Sequence, residues 1–241
     1  MSSNIKVLYE DNHLIAVYKP AGVLTQGDKS GDSSLMEDIR SYLKEKYQKQ
    51  GNVFLAPVHR IDRPVSGIVL YAKTSKGASR ISEQFREREI QKTYHAVVVG
   101  KMDRNQGEIV NYIKKVSYFA QAFVDGQNVG HSAGSPQDMA KPKKAELEYE
   151  VVRSNGKYTL LKIKPKTGRF HQIRIQLSSI GHPILGDGKY STPAIVRQFR
   201  EVWKDRKSIA LCATDIEFKL PTKEENVKVS IPIPEEWKKI F

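Results

Sequence analysis

Two strand-like runs, AELEYEVV at 145–152 and YTLLKIKP at 158–165, are joined by RSNGK. The Asn155-Gly156 pair at the centre of that link adopts left-handed backbone at little cost, so the two runs are required to fold back as an antiparallel hairpin. The same pattern of short β-rich runs between turn formers recurs along the chain. IKVLY at 5–9 and HLIAVY at 13–18 are separated by EDN and read as an N-terminal hairpin. GIVLYAKT, KTYHAVVVG, SIALCATDIEF and VKVSIPI read as further strands, the last closing on proline. Helices are interspersed among them. Ser34 with Glu37 forms a capping box for a helix over about 34–49, with Leu35, Ile39, Tyr42 and Leu43 on one face. Ser75 is placed to cap a second helix with Ala78, Ile81 and Phe85 on its inner side. Ile173, Leu177 and Ile180 mark a third, stopped by Gly181, and Thr192-Pro193 opens a fourth that runs to about 204. Strands and helices do not alternate regularly, so the expected class is α+β, a mainly antiparallel mixed sheet with flanking helices.

A chain of 241 residues can hold one large core or two small ones. With 39% apolar residues it reads as an ordinary globular protein, but 40 Lys and Arg against 27 Asp and Glu leave a net charge of +13. A field of that sign draws polyanions, which makes nucleic acid the leading partner. The longest purely apolar runs, such as AVVV at 96–99, are far too short for a membrane span, so no membrane association is expected. The opening MSSNIKVLYEDNHL lacks the pattern of a secretory signal, and the cytoplasm is the expected compartment. A single cysteine, Cys212, permits neither an intramolecular disulfide nor a multi-cysteine metal site.

Several motifs tempt and fail. GHSAG at 130–134 matches the serine-hydrolase elbow around Ser132, but the flanking FVDGQNV and SPQDMAKPKK supply no strand-to-helix turn. Residues 101–144 read instead as a surface excursion rich in turn formers and bases. GHPILGDGKYS at 181–191 has the Gly-x4-Gly spacing of a phosphate loop, but Asp187 stands where a lysine belongs and would repel phosphate. The six histidines show no zinc-binding spacing, and no metal is expected.

VHRIDRPVSGIVLYAKT at 58–74 places Asp62 between Arg60 and Arg63 at the entrance to a buried strand. Read alone, that arrangement is better explained by a structural ion pair than by chemistry. Its surroundings decide more. The stretch resembles the His-Arg-Leu-Asp-Arg element of pseudouridine synthases of the RluA type. YKPAGVL at 18–24 is similar to that family's Lys-Pro motif, FREREIQKTYHAVVVG at 85–100 to its tyrosine-bearing segment, PKTGRFHQIRIQLSSIGHPILGDGKYS at 165–191 to its third motif, and IALCA at 209–213 to its last apolar segment. These elements follow the family's order and span about residues 5–235, with Ile61, Val65 and Phe170 as departures from the usual Leu, Thr, and Thr or Ser.

The resemblance implies the pseudouridine synthase catalytic fold in a single domain over 1–241, with no separate S4-type RNA-binding domain, acting as a monomer. It implies isomerisation of uridine to pseudouridine in ribosomal or transfer RNA. Asp62 is then the nucleophile, acting at the base C6 or the sugar C1′, and Arg174 the cation that keeps it ionised. Tyr94 stacks on the extruded base and could help remove the C5 proton, and Leu211 lies beneath the uracil. Arg60 handles RNA. Lys19, with Lys141, Lys143 and Lys144, is expected to meet phosphates. The chemistry calls for no cofactor. The competing class is an RNA-binding protein of the same fold without catalysis, which would have no use for Asp62.

Overall fold

The computed structural model describes residues 5–116, 119–124, 127–128, 141–205 and 207–241. Its elements are numbered here in chain order. The first are β1 (Lys6–Glu10), β2 (Leu14–Lys19), α1 (Leu35–Lys46), β3 (Ala56–Pro57), β4 (Ser66–Ala72) and α2 (Ser75–Glu87). Then come β5 (Gln91–Val99), β6 (Gln106–Val116), β7 (Phe119–Val124), β8 (Gln127–Asn128), β9 (Lys143–Ser154) and β10 (Tyr158–Pro165). The chain continues with α3 (Gln172–Ser179), α4 (Pro193–Phe199), β11 (Leu211–Lys219), β12 (Asn226–Ser230) and a 3-10 helix at Glu235–Ile240. The class is α+β, and every pairing between these strands for which a register is defined is antiparallel. Residues divide into two compact units: 1–92 with 213–232, and 93–212 with 233–241.

In the first unit the strands run β1, β2, β4, β11, with β12 on β11 and β3 on β4. β2 and β4 are buried along nearly their whole length, as central strands covered on both faces must be. Leu14, Ala16, Ile68, Leu70, Ile81, Ile216 and Phe218 form one core. α2 contributes Ile81, fully buried, while Ala78 and Phe85 pack at the margin of that core. Removing such a side chain costs about 2 to 5 kcal/mol. The cap of α2 is Thr74 rather than Ser75: its hydroxyl accepts from Gly77 N at 3.1 Å. α1 keeps the expected box, with Ser34 N donating to Glu37 Oε2 at 2.8 Å, but stops at Lys46.

In the second unit the order is β5, β10, β9, β6, β7, β8. β6 alternates exposed and buried residues, so one face meets the core and the other water. The Asn155-Gly156 hairpin forms as expected, with one more residue than a two-residue turn: 155–157 connect the strands, Gly156 has φ +84°, and Asn155 Oδ1 accepts from Lys157 N and Tyr158 N. Gly181, at φ +84°, ends α3 by donating to Ser178 O while His182 N donates to Leu177 O. Ile180 follows the helix and is 40% exposed, off the face its spacing suggested. α4 is capped by Thr192 but ends at Phe199. The hydrolase-like motif around Ser132 lies outside the described residues.

Candidate active site

In the first unit, two sequence-distant motifs are sewn together. Gly22 N donates to Arg63 O at 2.7 Å, and Arg63 Nε donates back to Gly22 O at 2.9 Å. Thr25 Oγ1 donates to Ile61 O at 3.0 Å. Between them lies Lys19, fully buried, whose ammonium donates to Pro20 O, Val23 O and Arg63 O at 2.9, 2.8 and 3.1 Å. Three donors meet three carbonyls, which is how a buried ammonium avoids the cost of unpaired charge. Burial pushes Lys19 down to about 7, and the Asp62 carboxylate opposes that fall. The loop carrying Asp62 is therefore fixed on both sides of the acid, at Ile61 and at Arg63, while Asp62 itself is half-buried.

Behind this loop, Asp62 O accepts from Val65 N at 3.0 Å and closes a turn. Gly67 follows at φ +124°; a Cβ there would lie 2.3 Å from Ala213 O, so only glycine lets β4 lie against β11. His59 accepts from Leu70 N through Nε2 at 2.9 Å and packs on Phe85 at 5.3 Å between ring centroids. Burial lowers His59 to about 3 and the Lys92 charge adds to the shift, so this histidine is a neutral structural acceptor.

In the second unit, Arg174 lies in the first turn of α3 and is 5% exposed. Its Nε and Nη2 donate to Asp187 Oδ2 and Oδ1 at 2.7 and 2.9 Å, a bidentate fork between side chains 6% and 1% exposed. The guanidinium carbon also sits 5.1 Å from the Tyr190 ring centroid. Tyr190 Oη accepts from Ala120 N at 2.8 Å and lies 2.6 Å from His171 Nδ1. Burial, with Arg174 and Lys189, pushes His171 down to about 2, so the imidazole that shares this hydrogen bond with Tyr190 is neutral. Tyr94 stands in β5 opposite Ile163 and is 8% exposed; Leu211 opens β11 and is 3% exposed.

Of the residues expected from sequence, Asp62, Arg60 and Lys19 belong to the first unit and Tyr94, Arg174 and Leu211 to the second. Arg60 is exposed. Lys19 corrects an expectation: an ammonium fully buried and bonded to three carbonyls does not meet a phosphate, and it holds the Asp62 loop instead. Asp187 was read from sequence only as the residue that spoils a phosphate loop. Its carboxylate instead grips Arg174, 13 residues earlier, and a lone acid in a glycine-rich stretch gave no sign of that pairing. Among the described residues, no group of three or more His, Cys, Asp or Glu could hold a metal ion, and no helix is long and apolar enough to cross a membrane.

Residues 13–179 match the family described as RNA pseudouridylate synthase. The chain is 31% identical over 244 residues to tRNA pseudouridine synthase C of Vibrio vulnificus, covering 98% of this chain and 94% of the relative. It is 33% identical over 190 residues to the dual-specificity RNA pseudouridine synthase RluA of Haemophilus influenzae, covering 78% of each. Against the ribosomal large subunit pseudouridine synthase C of Vibrio vulnificus it is 31% identical, over 97% of this chain and 67% of the relative. In fold it is similar to human RNA Pseudouridylate Synthase Domain Containing 4, with a TM-score of 0.76, 22% identity, and coverage of 98% of this chain and 92% of that one. With a family match running through most of the chain and relatives at this identity over nearly all of it, the protein belongs to the RNA pseudouridylate synthases.

Proposed function

We propose that this protein isomerises uridine to pseudouridine in transfer or large-subunit ribosomal RNA, as a cytoplasmic monomer whose two units form one catalytic domain. The observation that carries the reading is the 31% identity to a tRNA pseudouridine synthase along 98% of the chain. The tied-down loop that leaves Asp62 half-buried supports it, because a nucleophile must be both held in place and within reach.

The reaction breaks the bond from ribose C1′ to N1, turns the uracil and rejoins it through C5, with the C5 proton released. Asp62 acts as the nucleophile, at C6 or at C1′. Arg174, held in place by Asp187, is the catalytic cation. Tyr94 stacks on the extruded uracil and assists loss of the C5 proton, while Leu211 supplies an apolar floor. Extrusion costs roughly a few kcal/mol in lost stacking and pairing. Phosphate contacts drawn by the +13 charge, Arg60 among them, offset it, and binding weakens as salt rises.

The test is tritium release from C5-labelled uridine in transfer RNA and ribosomal RNA transcripts. The wild type is expected to release tritium from at least one, and Asp62→Asn from neither. Equal release by both proteins refutes Asp62 as nucleophile; binding without release by the wild type favours the non-catalytic RNA-binding protein.

A further inference from the structure

The hairpin of β6 and β7 sets Lys115 across from Ala120. Lys115 is exposed, and its ammonium lies 4.9 Å from the centroid of the Phe170 ring. Phe170 is only half-buried; its buried part packs against Ile113, Ala120, Ala122, Ala145, Ile175 and Tyr190. The imidazole of His171 stacks on the same ring, with centroids 3.8 Å apart and planes 19° from parallel. A stack that close leaves no space for an ammonium on its side, so the imidazole covers one face of Phe170 and Lys115 the other. His171 is itself locked by Tyr190 at 2.6 Å, in the left-handed conformation that opens α3. The same hairpin tip carries a second pair, Lys189 lying 4.6 Å from the Phe119 centroid.

We propose that Phe170 is a stacking subsite for an RNA base flanking the modified uridine, with Lys115 swinging from the ring face to the neighbouring phosphate. The ring has the properties such a subsite needs. It is backed by a packed imidazole and a core, so stacking costs little conformational entropy. Among the described residues, its outer face is covered by the exposed Lys115, a cover that a base displaces without breaking a core contact. A π-face beside an ammonium matches a base and its phosphate together. Through Tyr190, which touches both His171 at 5.6 Å and Arg174 at 5.1 Å, the subsite is continuous with the arginine assigned to the chemistry. Phe170 also stands where the motif this chain resembles more often has Thr or Ser, which makes the subsite a feature of this chain's own specificity. The inference rests on RNA being the substrate.

The test measures binding of two fluorescein-labelled probes, a short oligouridylate and an abasic oligomer of the same length, by anisotropy. Phe170→Ala is expected to weaken oligouridylate binding about tenfold, a stacked base contributing roughly 1 to 3 kcal/mol, and to leave abasic binding unchanged. Phe170→Tyr, which retains the ring, restores the preference for bases and controls for folding. Lys115→Met lowers the slope of log affinity against log salt by about 0.7, the value for one phosphate contact on a single strand. Equal affinity of wild type and Phe170→Ala for the oligouridylate overturns the proposal, as does an equal loss with both probes. Because binding is read without turnover, failure here is separable from failure of tritium release, which bears only on the isomerase reading.

Discussion

Removing Asp187 tests its bidentate pair with Arg174. The two side chains are 1% and 6% exposed, and their atoms meet at 2.7 and 2.9 Å. At an effective dielectric near 20, unit charges this close attract by about 4 to 6 kcal/mol, most of which offsets the cost of taking both out of water. The intact pair is therefore worth little net, but breaking it is expensive. Asp187→Ala leaves the guanidinium buried without its fork, and breaking a buried pair costs about 3 to 5 kcal/mol. For a chain of this size 1 kcal/mol moves the melting temperature by about 2 to 4 °C, so the expected loss is on the order of 6 to 20 °C. Asp187→Asn keeps the shape and one acceptor and should lose less. Arg174→Met should cost a similar amount for the reciprocal reason, and the double variant Asp187→Leu with Arg174→Met should melt well above the sum of the single losses. The assay is thermal and urea unfolding of all variants, with kcat and KM for RNA measured separately on those that fold at the assay temperature. If Asp187 orients Arg174 for chemistry, Asp187→Asn lowers kcat with KM nearly unchanged. Melting of Asp187→Ala within about 2 °C of wild type, or strict additivity of the single variants, refutes the claim that this pair is a coupled structural unit.

Two further outcomes follow from the same geometry. Gly67→Ala should be severely destabilised and fail to accumulate as soluble protein, since its Cβ would sit 2.3 Å from a backbone oxygen; Gly156→Ala, at φ +84° with nothing within 4 Å, should cost only about 1 to 2 kcal/mol by urea unfolding. Acid should destabilise the protein through its neutral histidines. His59 is held down to about 3 in the native state, whereas the unfolded chain takes up that proton near 6.5, so stability is lost progressively as pH falls from 6.5 toward 3. His59→Gln, which cannot titrate, should show a shallower decline in urea midpoint between pH 6.5 and 4; an unchanged decline rules His59 out as its source.

What was legible in the sequence was whatever depends on neighbours along the chain. Asn155-Gly156 forced a hairpin, the Ser34 and Glu37 box opened a helix, and Thr192-Pro193 opened another, because turns and caps are bonds between residues two to four apart. Even there local signals slipped by a residue, as at Thr74 against Ser75, where the two hydroxyls are equivalent on paper and only the path of the backbone selects one. The order of motifs around Asp62, Tyr94 and Arg174 was also readable, and it pointed to the family that the relatives share.

Lys19 and Asp187 were not readable, and for one physical reason. A charged side chain in a basic chain looks like a surface group until its burial is known, and burial is set by pairings 44 residues apart for Lys19 with Arg63 and 13 apart for Asp187 with Arg174. By itself, then, the sequence determined the α+β class, the turns and caps, and the family. Tertiary structure decided which charges are withdrawn from water and what they hold: an ammonium bonded to three carbonyls to fix a loop, and a carboxylate gripping Arg174. A charge leaves water only where partners close around it, and whether they do is set by the fold rather than by their spacing in sequence.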